Sequence, residues 1–323
     1  MIIWMKEAGG MIQIFKTEDG VIRQTDERAP GSWIAMTNPT ATEILEIADA
    51  YEIDSDHLRA PLDEEERSRI EVEEQYILVV VDIPSIEERA GKDWYVTIPL
   101  GIVMTGDMII TVCLEENPVI SAFMDGRVRD FHTFMKTRFI LQILYKNASL
   151  YLQYLRVIDK KSEVIERKLH QSQRNQELLE LQELEKSLLY FTTSLRSNEV
   201  VLEKLLKSDR IKKYPEDTEL LEDVIIENKQ AIEMANIYSG VLSGTMDVFA
   251  SVISNNLNIS MKFLATITIV MSIPTMVASF YGMNVNLEGL PFAYSRYGFV
   301  IVLGFAALLS LLVAWIFWKK DLF

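Results

Sequence analysis

Residues 281–291 read YGMNVNLEGLP, between two long apolar runs, ISMKFLATITIVMSIPTMVASFY at 259–281 and YGFVIVLGFAALLSLLVAWIFW at 297–318. A backbone that leaves the helix inside a bilayer finds no water to satisfy it, so a break containing Gly, Asn, Glu and Pro must fall at the surface or line a cavity. Each flanking run is close to the roughly 20 residues that cross a bilayer, and each is predicted to be a transmembrane helix. Lys262 begins the first and Lys319-Lys320 follow the second. The positive-inside rule places those basic ends on the cytosolic side. The chain is therefore expected to be a multi-pass protein of the cell membrane with both termini in the cytosol. Residues 282–296 are then a short external loop and 319–323 a basic cytosolic tail.

The first run keeps its polar atoms on one line. Asn258, Met261, Ala265, Thr268, Ser272, Thr275 and Ser279 recur at alternating helical steps, ending one turn before Gly282-Met283-Asn284. Two uses fit such a stripe. Small residues let helices approach closely, and hydroxyls can also line a water-filled wall. Two helices per chain cannot enclose a channel, so the second use requires several copies around an axis. Each stripe residue then becomes a ring, with Asn284 outside, hydroxyls along the wall, Met261 and Leu264 as an apolar constriction, and Asn258 at the inner mouth. Neutral oxygens accept hydrogen bonds from an ion's water shell without holding the ion too tightly to leave. Because Mg2+ gives up its waters reluctantly, neutral amide rings suit the hydrated ion.

Upstream, residues 1–117 have the texture of a cytosolic α/β domain with a mixed sheet. MIQIFKTEDGVIRQ predicts two short strands about a turn at Asp19-Gly20, SWIAMT another, and YILVVVDIP with WYVTIPLGIVMTGDMIITVCLE at least three more. Thr40 and Glu43 have capping-box spacing ahead of a helix. Residues 118–215 are predicted as long antiparallel cytosolic helices, from 131 to 170 and from 176 to 211, with HQSQRNQ as the turn between them. Pro215 then opens a stalk over 216–258 that continues into the first span without a proline until Pro274. Unbroken to residue 281, that helix is about 100 Å long at about 1.5 Å per residue.

Composition excludes several classes. Of a formal charge of −15, the first 258 residues carry −17, since residues 259–323 hold four basic and two acidic side chains. An acidic soluble part argues against nucleic acid and is compatible with cation binding. No GxxxxGK[ST] loop for nucleotide phosphates and no GxSxG elbow occurs. Cys113 is the only cysteine, inside MIITVCL, and is expected to be a buried structural thiol. The three histidines, His57, His132 and His170, are scattered without HExxH or CxxC partners, so no His/Cys metal cage is expected. The N-terminal MIIWMKEAGGMIQIF is too short in apolar length for a signal peptide.

These features together resemble the CorA family of divalent-cation transporters: Tyr281-Gly282-Met283-Asn284 directly after the first of two C-terminal spans, a short loop, a basic extreme C-terminus and an acidic α/β-plus-long-helix domain. The resemblance covers essentially the whole chain. It implies a homopentameric funnel whose pore is lined by the first span, with Gly282, Met283 and Asn284 as the outer filter and Asn258 and Met261 near the inner mouth. It implies Mg2+ influx, often with Co2+ or Ni2+ accepted, no enzymatic activity, no resident cofactor, and cytosolic Mg2+ as the regulator. On the same resemblance Asp223 is a sensing aspartate, with Asp82 or Glu88 as its partner and Asp247 a further acid on the long helix. The loop offers Glu288 alone where family members often carry an acidic cluster, and Ser272 stands where some have a large apolar gate. The single Glu288 motivates a Zn2+ transporter of the same superfamily as an alternative. The long helices alone motivate another, a pore-less membrane-tethered scaffold.

Overall fold

A computed structural model describes residues 11–89, 91–172, 175–208, 214–284, 289–292 and 294–320. The chain divides into two units, Met1–Thr245 and Met246–Phe323. The first is organised on a seven-stranded sheet formed by β1 (Met11–Glu18), β2 (Val21–Thr25), β3 (Trp33–Thr37), β4 (Arg69–Val72), β5 (Tyr76–Arg89), β6 (Lys92–Thr105) and β7 (Ile109–Cys113). Their order is β2-β1-β3-β7-β6-β5-β4. β3 and β7 run parallel and the other pairs antiparallel, so the sheet is mixed. Asp19 and Gly20 both take positive φ, 51° and 77°, the geometry that closes a two-residue hairpin between β1 and β2.

Helices cover both faces. α1 (Ala41–Tyr51) and α2 (Ser55–Arg59) pack on one, burying Ile44, Ile47 and Leu58 against Leu78, Val80 and Ile110. α3 (Pro118–Met124), α4 (Lys136–Ser172) and α5 (Asn175–Lys207) cover the other, over Val79, Val81, Leu100 and Ile102. Burial on both sides explains why the central strands are nearly continuous apolar runs rather than alternating ones. At β6 the chain comes close to a 3-10 turn, Ala60–Leu62: a Cβ added at Gly101 would lie 2.2 Å from Pro61 Cγ. The Thr40–Glu43 capping box is formed in full at the start of α1.

Trp33 anchors the larger core. It is fully buried, stacks on Phe15 at 5.0 Å, meets Phe139 edge-on at 5.1 Å, and donates its indole N–H to Thr111 Oγ1 at 2.9 Å. Phe131 joins the same cluster, and Thr133 exchanges hydrogen bonds with Thr17, each backbone N–H donating to the other's hydroxyl at 3.0 Å. These contacts hold residues 131–135 out of a helix, so α4 begins at Lys136 rather than at 131. At its other end α4 continues to Ser172 and α5 starts at Asn175, so most of the HQSQRNQ tract is helical. The turn expected in this tract is left to residues 173–174, which lie outside the described residues.

Asp82 shows how α4 and α5 are fastened to the sheet. It lies past the end of the β4 pairing, which stops at Val80, and faces Pro99 across β6. Its free backbone edge is completed by Asn198 of α5, whose Oδ1 accepts the Asp82 N–H at 2.9 Å and whose Nδ2 donates to its carbonyl at 2.8 Å. Asn147 and Tyr151 of α4 donate to the same carbonyl at 2.8 and 3.2 Å. Side chains thus stand in for a missing strand.

α6 (Pro215–Tyr281) contributes to both units and α7 (Gly298–Lys319) to the second. Asp217 at the start of α6 accepts the Tyr214 N–H at 3.1 Å and pairs with Arg138. Within the first unit α6 buries Leu221, Val224, Asn228, Ala231 and Ala235, and Asn228 donates to the Leu195 carbonyl of α5 at 3.1 Å. Helix geometry continues through Pro274. Both α6 and α7 are long and apolar enough to cross a membrane, and only 6% of each apolar window is buried. A soluble protein's core helix would be mostly buried.

Candidate functional site

The second unit separates two faces of α6. Thr266 is buried and Val270, Ile273 and Val277 are half-buried. Val277 shares an apolar cleft of about 410 Å3 with Ile301, Val302 and Phe305, so this line is turned toward α7. On α7 the protected positions Val302, Ala306, Ser310, Val313 and Phe317 follow the matching helical spacing. The predicted stripe lies elsewhere. Thr268, Ser272, Thr275 and Ser279 each follow a member of the α7-facing line by two residues, about 200° around the helix. All four are exposed, as are Asn258, Met261, Leu264 and Ala265. Packing of this stripe against the chain's own second span is therefore excluded. Among the described residues of this chain nothing covers it.

Three of the four hydroxyls on that face have their hydrogens committed to the helix's own backbone. Thr268 Oγ1 donates to the Leu264 carbonyl at 2.8 Å, Ser272 Oγ to Ile269 at 2.7 Å, and Thr275 Oγ1 to Met271 at 3.3 Å. A hydroxyl whose proton is given to the backbone presents only its lone pairs outward. Thr268, Ser272 and Thr275 thus turn hydrogen-bond acceptors outward along the stripe.

At the end of α6 the chain turns at Gly282, whose N–H bonds to the Ala278 carbonyl at 2.9 Å. Gly282, Met283 and Asn284 are exposed. The φ of Gly282 is outside the left-handed region, and among the described residues an added Cβ would meet only the Ala278 and Ser279 carbonyl oxygens, at 3.5 and 3.6 Å. Glu288 lies outside the described residues. Sequence reasoning quoted Tyr281 without giving it a task. Its hydroxyl donates to the Pro291 carbonyl at 2.9 Å, tying the end of α6 to the returning loop. Phe292 holds a left-handed φ of 62°, costly for an aromatic residue, and its carbonyl sits 2.4 Å from where a Cβ on Gly298 would lie. No spacing in the sequence signals either contact.

The acids expected to sense cytosolic metal are not brought together within the chain. Asp223 on α6 and Glu88 near the end of β5 are exposed, and Asp247 is exposed on α6 in the second unit. Asp82 is half-buried. Burial pushes its carboxyl up to about 6, against hydrogen bonds from Ser194 and Ser68 that lower it. Its backbone, not its carboxylate, is what the surrounding amides hold. Cys113 is buried as expected, and burial raises its thiol to about 11.

The family described as "CorA-like Mg2+ transporter protein" matches residues 30–320. The chain is 26% identical over 298 residues to the cobalt/magnesium transport protein CorA of Methanocaldococcus jannaschii, covering 90% of each. It is 21% identical over 314 residues to the protein of the same description from Thermotoga maritima, covering 95% of this chain and 88% of the other. The complete structure of the M. jannaschii CorA magnesium transporter matches with a TM-score of 0.82 at 25% identity, over 95% of this chain and 97% of that one. The cytoplasmic domain of ZntB from Vibrio parahaemolyticus is alike in fold alone, with a TM-score of 0.56 at 12% identity over 77% of this chain and 98% of that domain. With 291 consecutive residues matched by the family description and the fold shared along the chain's length, the protein belongs to the CorA family of divalent-cation transporters.

Proposed function

We propose that the protein is a Mg2+ influx channel of the cell membrane, with Co2+ and Ni2+ as secondary cargo, formed by several copies around a pore lined by α6. Five copies are what the family resemblance implies. The observation that carries the reading is the acceptor column on α6, turned about 200° from the α7-facing line and ending at Gly282-Met283-Asn284. The names of the two CorA relatives support magnesium and cobalt as cargo. Lys319, whose ammonium lies 5.4 Å from the Trp315 ring, together with Lys320, supports a cytosolic end for α7.

No nucleotide is needed to drive entry. About 2.3 kcal/mol per charge per 100 mV gives a dication roughly 4.6 kcal/mol into a cell negative inside, enough to concentrate it more than about a thousandfold. Asn284 supplies a neutral amide at the outer mouth, where it exchanges hydrogen bonds with the ion's waters rather than replacing them.

Closure is assigned to cytosolic Mg2+ bridging exposed acids of adjacent copies, with Asp223 as the sensing residue. Glu88 is better placed than Asp82 as the partner, because Asp82 is turned inward. Asp223→Asn should raise the internal Mg2+ needed to close the pore; an unchanged closing concentration removes Asp223 from the mechanism. The filter is tested in proteoliposomes with a Mg2+-sensitive dye. Asn284→Ala should assemble normally and lose at least about tenfold in influx, the equivalent of about 1.4 kcal/mol per permeation event. Unchanged influx would overturn the assignment. Zn2+ entry without Mg2+ entry in the same vesicles would favour the Zn2+ reading, motivated by the single loop acid Glu288.

A further inference from the structure

The fold assembles a His/carboxylate cluster that no local spacing predicts. β4 is the edge strand of the sheet, and the two-residue period puts Glu71 and Glu73 on one side of it, Glu73 at the turn into β5. α2 lays His57 over that side. One ligand atom from each of His57, Glu71 and Glu73 lies within 4.8 Å of the other two, and His57 Nε2 is 3.3 Å from Glu71 Oε2. Ligand atoms about 2.1 Å from a shared metal stand roughly 3.0–4.2 Å apart, so the cluster needs a closure of only a fraction of an ångström.

The surroundings orient each ligand. His57 Nδ1 is 2.7 Å from the hydroxyl of the buried Tyr76, which also accepts the Asp54 N–H at 3.3 Å, and the two rings meet edge-on. In the metal-free chain Nε2 is a hydrogen-bond partner of Glu71 and Nδ1 of the Tyr76 hydroxyl; a bound metal would take Nε2 as a lone pair with Nδ1 donating to Tyr76, the arrangement by which metal-ligating histidines are held in one tautomer. Arg69 pairs with the other oxygen of Glu71, Oε1. Glu71 thus offers Oε2 to the cluster while Oε1 is occupied.

We propose that His57, Glu71 and Glu73 form a binding site for a borderline transition dication such as Co2+, Ni2+ or Zn2+, on the edge of the α/β sheet and separate from the pore. One imidazole nitrogen with two carboxylates, leaving positions open to water, suits those ions. Mg2+ takes oxygen ligands and keeps its waters, so the imidazole discriminates against the principal cargo. The site lets the first unit register a competing metal in the presence of abundant Mg2+. It depends on neither the pore nor the sensing acids.

The test is a Co2+ titration of the full-length protein in detergent containing millimolar Mg2+, followed by visible absorption and by calorimetry. The chain should bind one Co2+ per copy with a nitrogen-ligated d–d spectrum, and Zn2+ should displace it. His57→Gln should abolish that spectrum, and Glu73→Gln, at an exposed turn, should weaken binding by at least about tenfold. Both variants should retain the parent's Mg2+ influx, so loss of influx alone bears on the pore and not on this site. An unchanged Co2+ spectrum in His57→Gln, or displacement of the bound Co2+ by an equal concentration of Mg2+, overturns the proposal.

Discussion

The two units use apolar residues in opposite ways. In Met1–Thr245 the large side chains are consumed by their own chain: Trp33, Phe123, Phe139, Tyr151 and Phe191 are essentially inaccessible, and polar groups such as Asn198 and Asn228 spend their amides on backbone of another element. In Met246–Phe323 the reverse holds. Phe299 is 80% exposed and Leu311 and Trp318 each 71%, and among the described residues Ala306 is the only buried hydrophobic side chain of α7. Water would not tolerate that much contiguous apolar surface. The first unit buries its apolar side chains against its own chain, whereas the second leaves the apolar windows of α6 and α7 almost uncovered by the chain itself, as expected of segments that cross a membrane.

That contrast can be broken by mutation. The largest effect is expected from Trp33→Ala, which removes an aromatic anchor and strands Thr111 without its donor; a loss of about 3–5 kcal/mol is the range for such truncations. Phe299→Ala, of comparable size, should change the unfolding midpoint in detergent hardly at all. Equal losses at the two positions would mean that α7 is packed like a core helix. A smaller effect is expected at Asp82. Its folded-state carboxyl lies near 6, above an ordinary value of 3.8, so the folded protein binds the proton more tightly. Stability from this group is present in full below about pH 4 and is lost as pH rises through about 6. Asp82→Asn should therefore stabilise the protein at pH 7.5 by about 2–3 kcal/mol and flatten the stability profile between about pH 4 and 6. Destabilisation at pH 7.5 would show instead that the charged carboxylate is needed. The smallest effect on stability belongs to Thr275→Val, which keeps the shape and removes one acceptor, a change within about 1 kcal/mol. Its influx should nonetheless fall several-fold, because every copy loses the same acceptor from the column.

Much of this architecture was legible in sequence because it is written in periodicity. The 3-4 spacing from Leu221 to Ala235 is the buried face of α6, Thr40 with Glu43 is a formed cap, and the doubly buried strands are the apolar runs YILVVV and IITVC. The stripe from Asn258 to Ser279 was also visible, but not which of its two uses holds, since periodicity names a face without naming its neighbour. The contact line through Val277 settled that α7 is not the neighbour. What stayed hidden depends on distant pairing. Phe131 leaves the helix for an aromatic cluster with Trp33, more than ninety residues away in sequence, nothing near Asp82, expected as a partner of Asp223, reveals Asn198, and His57 meets Glu71 and Glu73 only once α2 lies over β4. Tertiary packing overrode local pattern at each of these places.

The central claim is that the α6 stripe faces a water-filled pore, and the chain's single cysteine makes that accessible to experiment. Cys113 is buried with its thiol raised to about 11, so it contributes little thiolate and the natural background needs no cysteine removed. Thr268→Cys, Ser272→Cys and Val270→Cys are each reconstituted in proteoliposomes at low internal Mg2+ and treated from outside with a membrane-impermeant thiol reagent. Thr268→Cys and Ser272→Cys should be modified with loss of Mg2+ influx, while Val270→Cys on the α7-facing line stays unmodified. Unreactive stripe positions in a conducting protein, or equal modification at Val270, would contradict a pore along this face.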